Sequence, residues 1–237
     1  MRNFTDKFLS LTPAFKSLKP SEFKKRVLDY NFSRYFPDSR ESYLLDIGPG
    51  RGEMLSLWEG KGYKNILAVD ISQEVVDLCR QVTKRSQVDL IDDLKEFLLC
   101  HTEGFNLITM IDVIEHLSKK ELFSIARPLY NALKSDGILI VQTPNMASPS
   151  ATLNRYADIT HESGFTESSL AQWLSYGGFK SFKFFPHDEP ANSVRGHIRK
   201  KLRSLYYRWI RFTRLLEHSH NPQILTPVFF AVARKEE

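Results

Sequence analysis

The chain has 237 residues, 42% of them apolar, a formal net charge of +5 and a pI of about 9.1, which suits one α/β domain with a sizeable core. No apolar run reaches the ~20 residues of a membrane span, and the first fifteen residues, interrupted by Asp6 and Lys7, lack a signal-peptide core. Cys79 and Cys100 have neither metal nor redox spacing, so the expectation is a cytoplasmic protein with two buried thiols in a reducing compartment.

Residues 1–42 read as one or two short helices, with Phe4, Phe8, Leu9, Leu11, Phe23, Val27, Tyr30 and Phe32 as their apolar positions. Strand and helix then alternate. YLLDI is a strand and a helix starts near Glu53. NILAVD is a strand before a helix opened by Ser72, with Glu74 in its first turn. QVDLI is a short strand, LKEFLLC a helix, FNLITMI a strand and Lys119–Leu133 a helix; SDG turns into the strand ILIVQT. This alternation with short links predicts a parallel sheet with helices on both faces. After Pro144 comes a long polar connection, then a helix over Glu167–Tyr176 and a strand at FKSFKFF. A basic helix over 197–217 follows, and ILTPVFFAVARK forms a last strand that makes an antiparallel edge. No internal repeat or low-complexity segment is present.

Three alternating glycines, Gly48, Gly50 and Gly52, follow the first strand. A strand that enters a glycine-rich turn and then a helix N-terminus presents backbone N–H groups to a ligand at close range. The dinucleotide fingerprint G-x-G-x-x-G fails here, because its last position, counted from Gly48, is Glu53. The pattern present is D-x-G-x-G-x-G, Asp46 to Gly52. It resembles the first motif of class I S-adenosylmethionine (SAM)-dependent methyltransferases. DDLKEFL, FNLITMIDVIEHL and LKSDGILIVQTPN resemble later segments of the same superfamily, so the likeness covers about residues 43–180. The resemblance implies an α/β, Rossmann-like, seven-stranded mixed sheet with helices on both faces. The chain 1–237 becomes one domain: an N-terminal helical segment (1–42), a SAM-binding core (43–146) and an acceptor-side segment (147–237). It further implies that Asp46, Gly48, Gly50 and Gly52 bind SAM and that Asp70 takes the ribose hydroxyls. The adenine amino group falls to Asp93, with Asp92 as the fallback, and Ile71, Leu94 and Ile111 complete the cofactor set.

Methyl transfer to an alcohol needs a base or a metal. Asp112, Glu115 and His116 in DVIEH have i, i+3, i+4 spacing, which on a helical turn shares one face. A second candidate is His161 in DITHESGFT. Small-RNA 3′-terminal 2′-O-methyltransferases carry a similar acid-x-x-Glu-His motif and a later histidine before an aromatic-Thr pair, matched here by Phe165–Thr166. Ubiquinone-pathway O-methyltransferases carry a related element. The first resemblance implies a divalent metal, Mg²⁺, Mn²⁺ or Zn²⁺, on Asp112, Glu115, His116 and His161, although the first acid is aspartate where those families have glutamate. The metal-free alternative makes His161 the general base, with Asp112 and His116 beside it.

The connection after the fifth strand resembles methyltransferases of surface polysaccharides and related glycoconjugates, which makes Arg155, Tyr156 and Asp158 candidates to hold a polar acceptor. That resemblance implies O-methylation of a sugar hydroxyl on a glycan or glycolipid acceptor. The alternatives are an RNA 3′ end, an isoprenoid phenol and, more distantly, a non-catalytic partner subunit. From Arg195 to Arg214 there are eight Arg or Lys and no acid. Ile198, Leu202, Leu205, Trp209, Phe212 and Leu216 form one apolar stripe. That helix either packs on its own core, or lies on an anionic membrane as a peripheral anchor, or binds a polyanion, nucleic acid being the weaker choice.

Overall fold

The computed structural model describes residues 20–191, 193–217 and 222–236. The expected apolar positions Phe4, Phe8, Leu9 and Leu11 lie outside them. The strands are β1 (Tyr43–Ile47), β2 (Asn65–Asp70), β3 (Gln87–Leu90), β4 (Phe105–Ile111), β5 (Leu133–Pro144), β6 (Ser181–Pro186) and β7 (Val228–Arg234). The α-helices are α1 (Glu22–Phe32), α2 (Glu53–Gly60), α3 (Gln73–Val82), α4 (Leu94–Leu99), α5 (Lys119–Ala132), α6 (Ala151–Tyr156), α7 (Glu167–Gly177) and α8 (Val194–Leu216).

The strands form one sheet in the order β3-β2-β1-β4-β5-β7-β6. The first five strands in sequence are parallel, and β7 lies antiparallel between β5 and β6. The expected Rossmann-like, seven-stranded mixed sheet is therefore present, with the last strand inserted one place in from the edge. Strand order reverses between β1 and β4, and an open α/β sheet binds its ligand in the crevice beyond the carboxyl ends at such a point.

The central strands are apolar on both faces because both are covered. On one face Leu45, Ile108 and Leu139 pack with Ile125 and Leu129 of α5 and Leu170 and Trp173 of α7. Their neighbours Leu44, Leu107 and Ile140 point the other way, into Trp58, Tyr63, Val76 and Phe32. Trp173 fixes α7 to α5 by donating Nε1–H to the Leu122 carbonyl at 2.8 Å.

Several local expectations shift by a few residues, each for an identifiable reason. The helix expected to reach Leu133 stops at Ala132, because Leu133 pairs with Phe105 at the start of β5. The polar connection contains a helical stretch, α6, and is held to the sheet by a parallel bridge between Asn145 and Phe165. The basic helix starts at Val194 rather than 197, because the Ser193 side chain caps it by accepting from Gly196 N–H. Cys79 is buried as expected, but Cys100 is exposed at the end of α4. Among the described residues no helix is long and apolar enough to cross a membrane.

Candidate active site

The loop between β1 and α2 holds Gly48, Gly50 and Gly52 at φ +71°, +55° and +77°, the left-handed region that glycine tolerates. At Gly48 a Cβ would sit 2.5 Å from Val113 Cγ2, so the loop is pressed against the segment that follows β4. At Gly50 a Cβ would meet nothing within 4 Å, so this part of the loop faces open space. Behind the loop, Asp46 is buried and accepts a 2.6 Å hydrogen bond from Thr109 Oγ1. Burial pushes its pKa up to about 7, against the lowering effect of that hydrogen bond. Glu53 is buried too; it pairs with Arg51 at 2.9 Å and accepts from Ser21 N–H at 3.2 Å. At the end of β2, Asp70 accepts from Ser72 N–H at 2.8 Å. Burial raises its pKa to about 6, although the Ser72 and Ile71 N–H groups pull it down. Beside it Ser72 Oγ is buried without a partner.

Beyond β4 the chain turns sharply. Asp112 has φ +56°, and only Ile114–His116 forms a helical turn. The i, i+3, i+4 face expected from the sequence therefore does not form: Asp112 accepts from Gln142 Nε2 at 2.9 Å and stands outside the group that gathers nearby. That group is Glu115, His116 and His161, whose ligand-type atoms all lie within 4.8 Å of one another. The 158–163 segment is held there by backbone contacts. Glu162 N–H and Ser163 N–H both donate to the Glu115 carbonyl, at 2.8 and 2.9 Å. The Arg155 guanidinium donates to the carbonyls of His161 and Glu162.

The hydrogen bonds fix both histidine tautomers. His161 Nδ1 lies 3.1 Å from the Asn154 carbonyl, which can only accept, so Nδ1 carries the proton. His116 Nδ1 lies 2.7 Å from Thr160 Oγ1, whose own proton goes to Asp158 at 2.7 Å; His116 Nδ1 is therefore also the donor. With Nδ1 as the donor in each ring, Nε2 is the nitrogen left to accept a proton or a cation. Burial, followed by the neighbouring His161, lowers the pKa of His116. Glu115 is buried, accepts from Thr143 Oγ1 at 3.0 Å, and is pushed well above the usual carboxylate range by burial and then by Asp112.

The methyltransferase-domain family matches residues 21–183, more than half of the chain. The chain belongs to this family. It is a class I SAM-dependent methyltransferase, as the motifs from Asp46 onward imply. A ubiquinone biosynthesis O-methyltransferase of Actinobacillus pleuropneumoniae is 30% identical over 109 residues, 43% of this chain and 45% of that protein, so the match spans less than half of either. A SAM-dependent methyltransferase from Archaeoglobus fulgidus has a similar fold, with a TM-score of 0.64 at 23% identity over 90% of this chain and 96% of that one. Phosphoethanolamine N-methyltransferase 2 of Haemonchus contortus, solved in complex with SAM, gives 0.59 at 14% identity over 100% of this chain and 58% of that one.

The methyltransferase's own residues fit SAM. The open space over Gly50 admits close approach, Asp70 keeps acceptor capacity for two hydroxyls, and the partnerless Ser72 Oγ lies next to it. Ile71 is exposed, while Ile111 and Leu94 are half-buried. Asp93 caps α4 by accepting from Glu96 N–H at 2.9 Å, and both Asp93 and its neighbour Asp92 are exposed. Of the residues expected to hold the acceptor, Arg155 donates to the His161 and Glu162 carbonyls, Asp158 accepts from Thr160, and Tyr156 is 77% exposed. Two residues that the sequence did not suggest stand near Asp112. Gln142 Oε1 and His187 Nδ1 are buried without partners, and Asp112 is the strongest charge acting on His187. His187 reaches this edge because Pro186 of β6 pairs with Phe229 of β7. FFPHDEP carries no motif that signals it.

Because Asp70 has a raised pKa, SAM affinity is expected to rise with pH through about 6, as the carboxylate ionises. Without SAM the sign reverses. The folded state holds the Asp70 and Asp46 protons more tightly than the unfolded chain, so stability falls as pH rises from about 4 to 7. Calorimetric SAM titration and thermal melts across this range check both signs.

Proposed function

We propose that this methyltransferase transfers the SAM methyl group to a hydroxyl oxygen gathered by Glu115, His116 and His161. The observation that carries the reading is the convergence of two imidazoles and the buried Glu115 carboxyl group within 4.8 Å, beside the glycine loop. SAM supplies a methyl group on a sulfonium, and its loss leaves a neutral thioether. The acceptor oxygen forms the new C–O bond as the C–S bond breaks, with the electron pair left on sulfur. His161 Nε2 takes the hydroxyl proton, and its Nδ1–H stays on the Asn154 carbonyl.

The same donor set fits a divalent cation. Both rings are held through Nδ1 by backbone or hydroxyl groups, which is how ligating histidines are oriented. Two imidazoles favour Zn²⁺ or Mn²⁺ over Mg²⁺. Such an ion would polarise the acceptor oxygen. Of the four residues expected as ligands, Glu115, His116 and His161 support this role and Asp112 does not.

For the acceptor, the name of the curated relatives supports an isoprenoid phenol. The sugar hydroxyl expected from the 145–180 connection has no such support, and neither has the RNA end. Overnight chelation followed by return of single ions tests the cation. The expected outcome is a loss of transfer of at least tenfold, restored by Mn²⁺ or Zn²⁺. Undiminished activity in the chelated, metal-analysed enzyme would leave His161 as a metal-free base.

A further inference from the structure

Helix α8 is built the wrong way round for a helix packed on its own protein. Ile198, Leu202, Leu205, Trp209, Phe212 and Leu216 lie within about 40° of one line along the helix at 100° per residue. All six are between 51% and 67% exposed, and no residue of α8 is buried. The opposite face, turned towards the protein, is largely cationic. Lys200 and Arg203 pair with Asp188 at 2.7 Å, Arg211 donates to the Gln223 carbonyl, and Arg214 donates to the Ala147 carbonyl. The helix is thus bolted down through its charges and presents its apolar stripe outward. Arg195, Lys201 and Arg208 flank that stripe, and among the described residues none of the three has an acidic partner.

We propose that α8 is a membrane-docking surface for an anionic bilayer. The stripe enters the acyl boundary, and the flanking cations meet the lipid phosphates. At about 1.5 Å per residue the helix lies some tens of ångströms along the interface, without crossing it. Charge complementarity selects this occupant. A second copy would bring the same cationic flanks against each other. Residues 1–19 carry Arg2, Lys7, Lys16 and Lys19 against the single acid Asp6, and so offer no acidic complement. The anchor points also place the docked face beside the candidate site. Asp188 follows His187 at the end of β6, and Ala147 follows β5, both at the ligand edge of the sheet. A membrane-borne acceptor would meet the cleft without leaving the bilayer surface.

The test uses the full chain and vesicles of phosphatidylcholine, alone or with about one-third phosphatidylglycerol. Trp209 reports insertion, because it is 60% exposed while Trp58 and Trp173 are buried. Expected are binding at least tenfold tighter to the anionic vesicles, a blue shift of tryptophan emission, and weakening by salt. Leu205→Glu should abolish the shift with an unchanged melting temperature, since Leu205 is 59% exposed. The double variant Lys201→Glu/Arg208→Glu should erase the preference for anionic lipid. Equal or no binding to the two vesicle types overturns the proposal. So does a lipid-free dimer that Leu205→Glu dissociates, binding to single-stranded RNA but not to vesicles, or vesicle binding that appears only after residues 1–19 are removed.

Discussion

His161→Ala is expected to lower the turnover of methyl transfer by about 10²–10⁴-fold, the usual contribution of a general base, while SAM affinity stays within about twofold. The split follows from how the loop is held. Its anchors are the Glu162 and Ser163 N–H groups on the Glu115 carbonyl and the Arg155 guanidinium on the carbonyls of His161 and Glu162. All of them use backbone atoms at residues 161–163, so they survive loss of the imidazole. The residues expected to bind SAM follow β1 and β2, and residue 161 is not among them. Single-turnover rates and calorimetric SAM binding on the same preparation separate the two effects. Equal losses in both would mean that the substitution has disordered the site. Full turnover would remove His161 from the chemistry.

Gly50→Ala is expected to weaken SAM binding by at least tenfold, with Gly62→Ala as its control. Both glycines have positive φ, +55° and +87°, and a Cβ at either would meet nothing within 4 Å. Alanine therefore brings the same backbone penalty, about 1–2 kcal/mol, at each position. The two differ in place. Gly50 lies in the loop beyond β1, at the switch point of the sheet, whereas Gly62 turns the chain into β2 at the opposite edge. Thermal melts should show similar destabilisation, and only Gly50→Ala should lose the ligand. Matching SAM affinities in the two variants would place the cofactor away from the glycine loop.

Much of the core could be read from the residues because its signals are local. The alternation of apolar strands and amphipathic helices from Tyr43 to Gln142 depends on each segment's own pattern, and the glycine loop needs only its own backbone angles. What the sequence obscured depends on contacts distant along the chain. Asp112 sits at the spacing that a helix would align with Glu115 and His116, but the left-handed turn at Asp112 removes it from the group and gives it to Gln142. The sequence does not signal that Arg155 serves the carbonyls of His161 and Glu162, or that Asp158 accepts from Thr160. His187 enters the site only through the antiparallel pairing of β6 with β7. The stripe on α8 was plain as a pattern, but its periodicity does not say whether the apolar side faces the protein or away from it. The ion pairs of Asp188 with Lys200 and Arg203 settle that orientation.

The most direct test of the central claim is transfer of labelled methyl from SAM into a host extract separated into isoprenoid lipid, glycan and RNA fractions, with wild type and His161→Ala in parallel. Label is expected in the isoprenoid lipid fraction, released as an O-methyl ether, and at least a hundredfold less with His161→Ala. Label on nitrogen or carbon in any fraction, or equal labelling by the two proteins, would contradict it.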